Sequence, residues 1–389
     1  MMIDTTAGVT APQGFLAAGV DAGISHKDKA DLALVVSQGP RYVASAVFTT
    51  NRFAAAPVAW TRGVMADRQV RAVVLNSGGA NACTGAQGRQ DAQQMAHVAA
   101  GLVGCAPDDV AVCSTGLIGE TLPMEAVVDG IAAAHAALSR DGGADAAQAI
   151  MTTDTCSKQA AHRSPHGWSV AGMAKGAGML APALATMLVV LTTDALMDAD
   201  EADAALRAAT RVSFDRADSD GCMSTNDTVI LMANGASGVR PGPEFQEALR
   251  EVCVSLAKQL IADAEGAEHS ITVSVQNAAS EEDAVEVARS VARSNLFKCA
   301  VAGNDPNWGR VLASIGTTNA PFDPDQVDVR FNGVPVFVAG APDVPRDQVD
   351  LSPFDVLVEI DLHAGDAEAS IWTNDLTHGY VSENSDYSS

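Results

Sequence analysis

The sequence predicts an α/β fold with mixed sheets arranged in two lobes. Three observations carry that expectation. Strand, Gly-rich loop and helix follow one another twice in the N-terminal half, and apolar residues recur at helical spacing in some segments and alternate in others. The chain, at 389 residues, also exceeds the length at which one hydrophobic core usually stops growing. Apolar residues make up 47% and aromatics only 4%, so small aliphatic side chains must fill the interior.

The first lobe opens with two β-rich runs, residues 31–37 and 42–49, joined by the turn-like Gln38-Gly39-Pro40-Arg41, which reads as a hairpin. A short apolar run at 70–75 then ends in Asn76-Ser77-Gly78-Gly79-Ala80-Asn81, and the Ala-rich stretch 89–103 has helical character. The same order recurs at 110–114, followed by Thr115-Gly116-Leu117-Ile118-Gly119. Both loops can aim backbone N–H groups at a ligand. Residues 136–148 and 162–168, rich in Ala, Gly, Asp and Ser, read as surface helices and loops. Next comes the loop Lys175-Gly176-Ala177-Gly178-Met179-Leu180-Ala181-Pro182, and directly after Ala185 the run 186–193 has the length and composition of a buried strand. Ala202, Ala205, Leu206, Ala209 and Val212 mark a helix behind the acidic residues 198–201, which suit its dipole. Phe245, Leu249, Val252, Leu256 and Leu260 mark another, and Ile271, Val273 and Val275 alternate as a strand. Ser280 with Asp283 opens a third helix that should reach about residue 295.

Charge narrows the partners. With 24 basic and 48 acidic residues the formal net charge is −24, so polyanions are repelled, and nucleic acid and anionic membranes are both poor partners. No run of 18 uncharged apolar residues occurs, and a cytoplasmic location is expected. The seven cysteines are scattered without metal-ligand spacing and read as reduced, mostly buried thiols, and His162 and His166, four apart, read as surface residues. No metal site is expected.

The common catalytic signatures are missing: no G-x-S-x-G elbow, no phosphate-binding G-x-x-x-x-G-K-[ST] loop, no H-E-x-x-H zinc helix. What remains is Thr186 at the first position of a buried strand behind a tight Gly/Pro loop that could strain the preceding peptide bond. That layout suits an N-terminal nucleophile. A threonine hydroxyl is a weak nucleophile until a base removes its proton, and the α-amine freed by cleavage on the same residue can be that base.

At these residues the sequence resembles the ornithine acetyltransferase family, the bifunctional glutamate N-acetyltransferases of arginine biosynthesis, and the resemblance covers essentially the whole chain. Its most specific segment is 175–188, similar to the family's autocleavage motif, with Thr186 in the nucleophile's place. Residues 113–119 resemble the oxyanion motif, 151–155 a substrate-contact loop, 263–266 the segment bearing the active-site glutamate, 303–310 a further characteristic loop and 380–389 the family's tail. The resemblance implies an N-terminal-nucleophile type of fold, like that of related aminopeptidases, cut between Ala185 and Thr186 into an α chain, 1–185, and a β chain, 186–389. It implies Thr186, Thr115 and Gly116 as catalytic groups, the last two as oxyanion donors. It further implies Thr152, Lys175, Thr186, Glu265, Asn384 and Ser389 as substrate contacts. The implied reaction moves an acetyl group from N-acetylornithine to glutamate through an acetyl-Thr186 ester. It needs no cofactor, allows acetyl-CoA as a second donor, and in this family is run by a heterotetramer of two α and two β chains.

One position departs from the family pattern: Glu268-His269 follows Ala267 where the family has Thr-Lys, which removes a positive charge near Glu265. Two other readings keep the same residues. One is a self-processed aminopeptidase or amidase in which water replaces glutamate; the other is an uncleaved metabolite-binding protein. Read without the resemblance, Thr186 is a strand residue, Thr115-Gly116 a turn, Glu265 a solvated helix end, and residues 303–310 a packing turn anchored by Trp308.

Overall fold

The computed structural model describes residues 2–25, 29–181 and 187–386. The chain forms two compact units, Met1–Asp215 with Cys222–Leu260, and Arg216–Gly221 with Ile261–Ser389.

The first unit contains two sheets. One has the order Phe15–Val20, Leu32–Ser37, Ala72–Asn76, Val110–Ser114, antiparallel except for its last, parallel pair. The other has the order Val43–Phe48, Thr228–Ala233, Leu188–Thr193, Ser169–Lys175, Lys158–Arg163, with only Thr228–Ala233 and Leu188–Thr193 running parallel. Val35, Val73 and Leu75 of the first sheet share one core with Met173, Leu188, Val190 and Ile230 of the second. Helices Gly85–Val103 and Met124–Ala136 cover the outer face of the first sheet through Met95, Ala96 and Ile131. Ala199–Arg211 and Glu244–Ala262 pack on strands of the second. Burial on both faces explains why the strands 32–37, 72–76, 110–114 and 188–193 are unbroken apolar or small-residue runs.

The second unit is built on one six-stranded sheet, order Ala341–Pro342, Val334–Val338, Asp328–Phe331, Asp355–Asp361, Ser270–Ala278, Ala367–Asn374. Helices Glu281–Ala292 and Trp308–Ile315 pack against it, and burial in Ser270–Ala278 alternates accordingly. The Ser280 hydroxyl accepts from Asp283 N at 3.1 Å and so caps its helix, which ends at Ala292, three residues short of the expected end. Trp308 stacks on Phe337 with ring centroids 5.1 Å apart, so residues 303–310 include the anchored turn that composition suggested.

Three expectations are corrected. The runs at 31–37 and 42–49 are not a hairpin: Leu32–Ser37 pairs with Phe15–Val20 and Ala72–Asn76, whereas Val43–Phe48 pairs with Thr228–Ala233 in the other sheet. The connection crosses between sheets, and its amides bond apart, Gln38 N to Gly14 O and Arg41 N to Asn234 O. Residues 136–148 and 162–168 are largely exposed helix ends, loop and turn, as expected, though Gly143–Ala149 buries Ala146 and Ala147 between the sheets and 162–168 forms the turn of a two-stranded hairpin, 158–175. His162 is buried with its ring 6.0 Å from Trp168, whereas His166 is exposed. Of the seven cysteines only Cys113 and Cys253 are buried; Cys83, Cys156, Cys222 and Cys299 are exposed, since they lie on loops and helix surfaces away from the cores.

Candidate active site

The first unit gathers four of the sequence-derived site residues. Strand Val110–Ser114 delivers Thr115 and Gly116 to the sheet edge, where Thr115 N donates to Asn76 O at 2.9 Å. The following residues lie on the Gly-rich loop: Ala80 N donates to Leu117 O and Gly119 N to Ala82 O. Gly116 adopts a φ of 132°, and a Cβ there would lie 2.7 Å from Gly79 N. Only glycine combines that conformation with so close an approach.

Lys175, the last residue of Ser169–Lys175, is 1% exposed and donates to Thr152 Oγ1 at 2.7 Å and to Thr115 Oγ1 at 3.3 Å. Since Thr115 Oγ accepts from Lys175, its own proton is free to point elsewhere. Asp154 lies beneath. It accepts from Lys158 Nζ at 2.6 Å, Gly176 N at 2.7 Å and Thr152 N at 2.9 Å, with Lys175 Nζ 3.8 Å away. Burial pushes the Asp154 carboxyl up, but Lys175 and Lys158 outweigh it and hold it well below the usual carboxylate range.

Lys175 stands opposite Leu188 in the antiparallel ladder, two residues downstream of Thr186. Ala185 and Thr186 themselves, the expected cleavage pair, lie outside the described residues. Met187 is described and fully buried; its N–H donates to Asp227 Oδ1 at 3.0 Å and its carbonyl accepts from Thr228 N at 3.1 Å. Burial pushes the Asp227 carboxyl well above its usual range, beyond what the Met187 amide recovers. Beside it, Asn226 Nδ2 donates to Ala80 O at 2.6 Å and Ser114 O at 2.7 Å, clamping the Gly-rich loop to the residue before Thr115.

The second unit brings together Glu265 and Asn384. Asn384 Nδ2 donates to Glu265 Oε2 at 2.9 Å and to Tyr380 O at 3.0 Å. Glu265 is 8% exposed and is therefore not a solvated helix end. The helix His378–Asp386 sits directly on this segment: Gly266 has a φ of 63°, and a Cβ there would overlap Tyr380 N. The Thr377 hydroxyl donates to Gly266 O at 2.5 Å and closes the joint. Ser389 lies outside the described residues. His269, at the departing position, is buried with Nδ1 2.8 Å from Asp375 Oδ2 and Nε2 3.0 Å from Leu351 O, while the amides of Glu268 and His269 donate to Asp375 Oδ1. The replacement thus builds a local clamp with Asp375. A cavity of about 270 Å³ lies nearby, lined among others by Asp220, Arg293, Lys298, Asn374 and Tyr380.

Asp154, Lys158, Asn226 and Asp227 are organising residues that the sequence reading did not single out. Asp154 lay inside the quoted 151–155 loop, and Asn226-Asp227 announces itself only as a polar pair before the apolar strand Thr228–Ala233. No group of three His, Cys, Asp or Glu side chains able to hold a metal ion occurs among the described residues, and no helix among them is long and apolar enough to cross a membrane.

The ArgJ family model matches residues 16–389. An arginine biosynthesis bifunctional protein ArgJ from Thermobifida fusca (strain YX) is 58% identical over 381 residues, covering 98% of this chain and 99% of that protein. Its namesake from Bifidobacterium longum (strain NCC 2705) is 54% identical over 389 residues, covering 98% and 100%. Among solved structures, an ornithine acetyltransferase complexed with ornithine from Mycobacterium tuberculosis is 47% identical, covers 48% of this chain and 99% of that one, and gives a TM-score of 0.46. With a family model and curated relatives matched along almost their whole length, the chain belongs to the ArgJ family.

Proposed function

We propose that the chain is a glutamate N-acetyltransferase of arginine biosynthesis that cuts itself between Ala185 and Thr186 and then carries acetyl from N-acetylornithine to glutamate on Thr186. The observation that carries this reading is the buried convergence of Lys175 on the hydroxyls of Thr115 and Thr152, at the strand end facing Leu188, in a chain of the ArgJ family.

In the first step the Thr186 hydroxyl attacks the Ala185 carbonyl, the amide nitrogen leaves with a proton, and water hydrolyses the resulting ester. The products are an Ala185 carboxylate and a free Thr186 amine. An ordinary α-amine titrates near pH ~7.7 to 8.0, so a useful fraction is neutral and takes the hydroxyl proton for the second reaction. Thr186 Oγ then attacks the acetyl carbonyl. The developing oxyanion meets the Thr115 hydroxyl, whose proton Lys175 leaves free, and the Gly116 N–H. Each such donor is typically worth about 3 to 4 kcal/mol. Ornithine departs with a proton, and the glutamate amine takes the acetyl group from the ester, which restores the hydroxyl.

Lys175 balances a substrate carboxylate with Thr152 alongside, while Glu265, held by Asn384, faces the ammonium group of ornithine. Ser389 completes the substrate contacts. Fragments 1–185 and 186–389 stay together and pair again into a heterotetramer working in the cytoplasm. The sequence of steps calls on no metal or nucleotide; acetyl-CoA enters only as a second acetyl donor to the same threonine. Denaturing electrophoresis with N-terminal sequencing tests the cut, and labelled N-acetylornithine with glutamate tests the transfer. An uncut chain, or label released as acetate in place of N-acetylglutamate, would refute the reading.

A further inference from the structure

The cavity of about 270 Å³ in the second unit lies just below the range that takes drug-sized ligands, about 300 to 1,000 Å³, so its occupant is small. Lys298 lines it, is only 4% exposed, and directs its ammonium to one hydrogen-bond acceptor, the carbonyl of Ser219. Among the described residues it makes no ion pair. Asp220, Asp218 and Asp375 act on it from longer range, and burial still pushes the ammonium pKa down. A buried ammonium costs free energy until an anion reaches it, and the cavity supplies the space for one. Arg293 also lines the cavity and is half-exposed. Its Nε holds Asp218 Oδ2 at 2.7 Å, while its two terminal nitrogens make no hydrogen bond among the described residues. Two cations with unused N–H groups thus line one small cavity.

The remaining charges decide what kind of anion fits. Asp220 and Asp375 line the same cavity, so its charged groups balance, two against two. Asp375 is committed to its neighbours, since Oδ1 accepts from the amides of Glu268 and His269 and Oδ2 lies 2.8 Å from His269 Nδ1. A phosphate dianion or a nucleotide would be repelled by these carboxylates, on a protein whose net charge is −24. A ligand that is neutral overall, with one carboxylate and one ammonium, avoids that repulsion. We propose that the cavity is a second amino-acid site, in which Arg293 and Lys298 take the α-carboxylate of a free amino acid and its ammonium lies toward Asp220. Charge-assisted bonds from two cations to one carboxylate are the strong kind. Glu265 and Asn384 are not among the described residues that line the cavity, so the site is separate from those proposed substrate contacts. It nevertheless touches the same helix: Tyr380 lines it, and Tyr380 O holds Asn384 Nδ2 at 3.0 Å. The proposal goes beyond the transfer reaction and does not depend on it.

Equilibrium dialysis of the full chain, cut or uncut, against labelled L-ornithine and separately against L-glutamate tests this by counting bound equivalents. At least one of the two is expected to fill, besides any transfer site, one further equivalent that depends on the cavity. Arg293→Gln should weaken that equivalent about tenfold or more, and Arg293→Lys, which keeps the charge beside Asp218, should weaken it less. Asn295 is an exposed residue of the lining, so Asn295→Trp should obstruct the cavity with every ion pair intact and remove the same equivalent. It carries the test if Arg293→Gln does not melt cooperatively. Putrescine, which is ornithine without its carboxylate, should not displace the cavity-bound amino acid, and neither should inorganic phosphate. Equal binding of both amino acids by the parent and by Asn295→Trp would overturn the proposal. Displacement by phosphate would also overturn it, since the cavity would then be a simple anion site, and displacement by putrescine would remove the role of the carboxylate. A chain that holds the cavity-bound equivalent but makes no N-acetylglutamate would refute the functional reading alone.

Discussion

Replacing Gly116 with alanine probes the loop that presents the oxyanion donors. Its φ of 132° is a conformation L-residues rarely adopt, and holding one there costs about 1 to 3 kcal/mol. The new Cβ would also stand 2.7 Å from Gly79 N and 2.9 Å from Gly78 C. Both are backbone atoms, so relief requires one loop to shift against the other, at about 1 to 3 kcal/mol more. Gly119→Ala is the control: its φ is 90°, yet nothing lies within 4 Å of the added carbon, so it meets the first cost alone. Gly116→Ala should therefore melt roughly 2 to 6 °C below Gly119→Ala. Since the same shift displaces the Gly116 N–H, kcat for acetyl transfer should fall by about 10²- to 10³-fold. Thermal denaturation of both variants and initial-rate transfer assays supply the two readouts. Equal melting temperatures with a parental kcat for Gly116→Ala would refute the reasoning.

Thr186→Ala should remain one full-length polypeptide on a denaturing gel and lose transfer, whereas Thr186→Ser should cleave slowly and transfer weakly, because loss of the methyl frees χ1; two fragments from Thr186→Ala would place the nucleophile elsewhere. Gly266→Ala should push the C-terminal helix off the Glu265 segment, raising KM about tenfold while self-cleavage proceeds, and deletion of 384–389 should do the same. Asp227 has a raised carboxyl pKa in the folded protein, so the stability it contributes is complete below the ordinary carboxylate range of about pH 4 and is lost as pH rises through the folded value. Asp227→Asn keeps an oxygen for Met187 N and removes that loss, so its melting temperature should decline less between pH ~5 and ~8 than the parent's; parallel declines would contradict the assignment.

Local signals were legible where they are strong. The helix Ala199–Arg211 begins where the acidic turn placed it, with Glu201 accepting from Asp198 N at 2.9 Å, and Leu188–Thr193 is the buried strand its composition predicts. Pairing was not legible, because the choice between two sheets for Val43–Phe48 depends on a partner strand whose paired residues lie 190 positions downstream at the start of the ladder, Val43 with Ala233, and 180 at its end, Phe48 with Thr228. The strands Lys158–Arg163 and Ser169–Lys175 were hidden by their contents. Ala160, Ala161, Ala171 and Gly172 are buried small residues, and a Cβ on Gly172 would press on Leu191 and Leu256, so space and not hydrophobicity dictates the sequence there. For the site, the residues of the Lys175 cluster are separated by up to 60 positions, and only the family resemblance proposed them together. Asp154 and Asn226 carried no compositional signal, since their importance lies in which atoms they bridge.

The five-stranded sheet gives the proposed cut an unusual setting. Its spatial order takes strands 43–48, 169–175 and 158–163 from before position 185 and strands 228–233 and 188–193 from after it, so two ladders would join the pieces. Before the cut, these strands find one another within a single tethered chain, at the high local concentration a covalent connection provides. Afterwards the same ladders, once melted, could re-form only when two diffusing molecules collide. Folding would be a first-order event in the life of the chain and refolding a second-order one. Dilution would then work against recovery, and the durability of the mature protein would be set by how slowly that shared sheet comes apart.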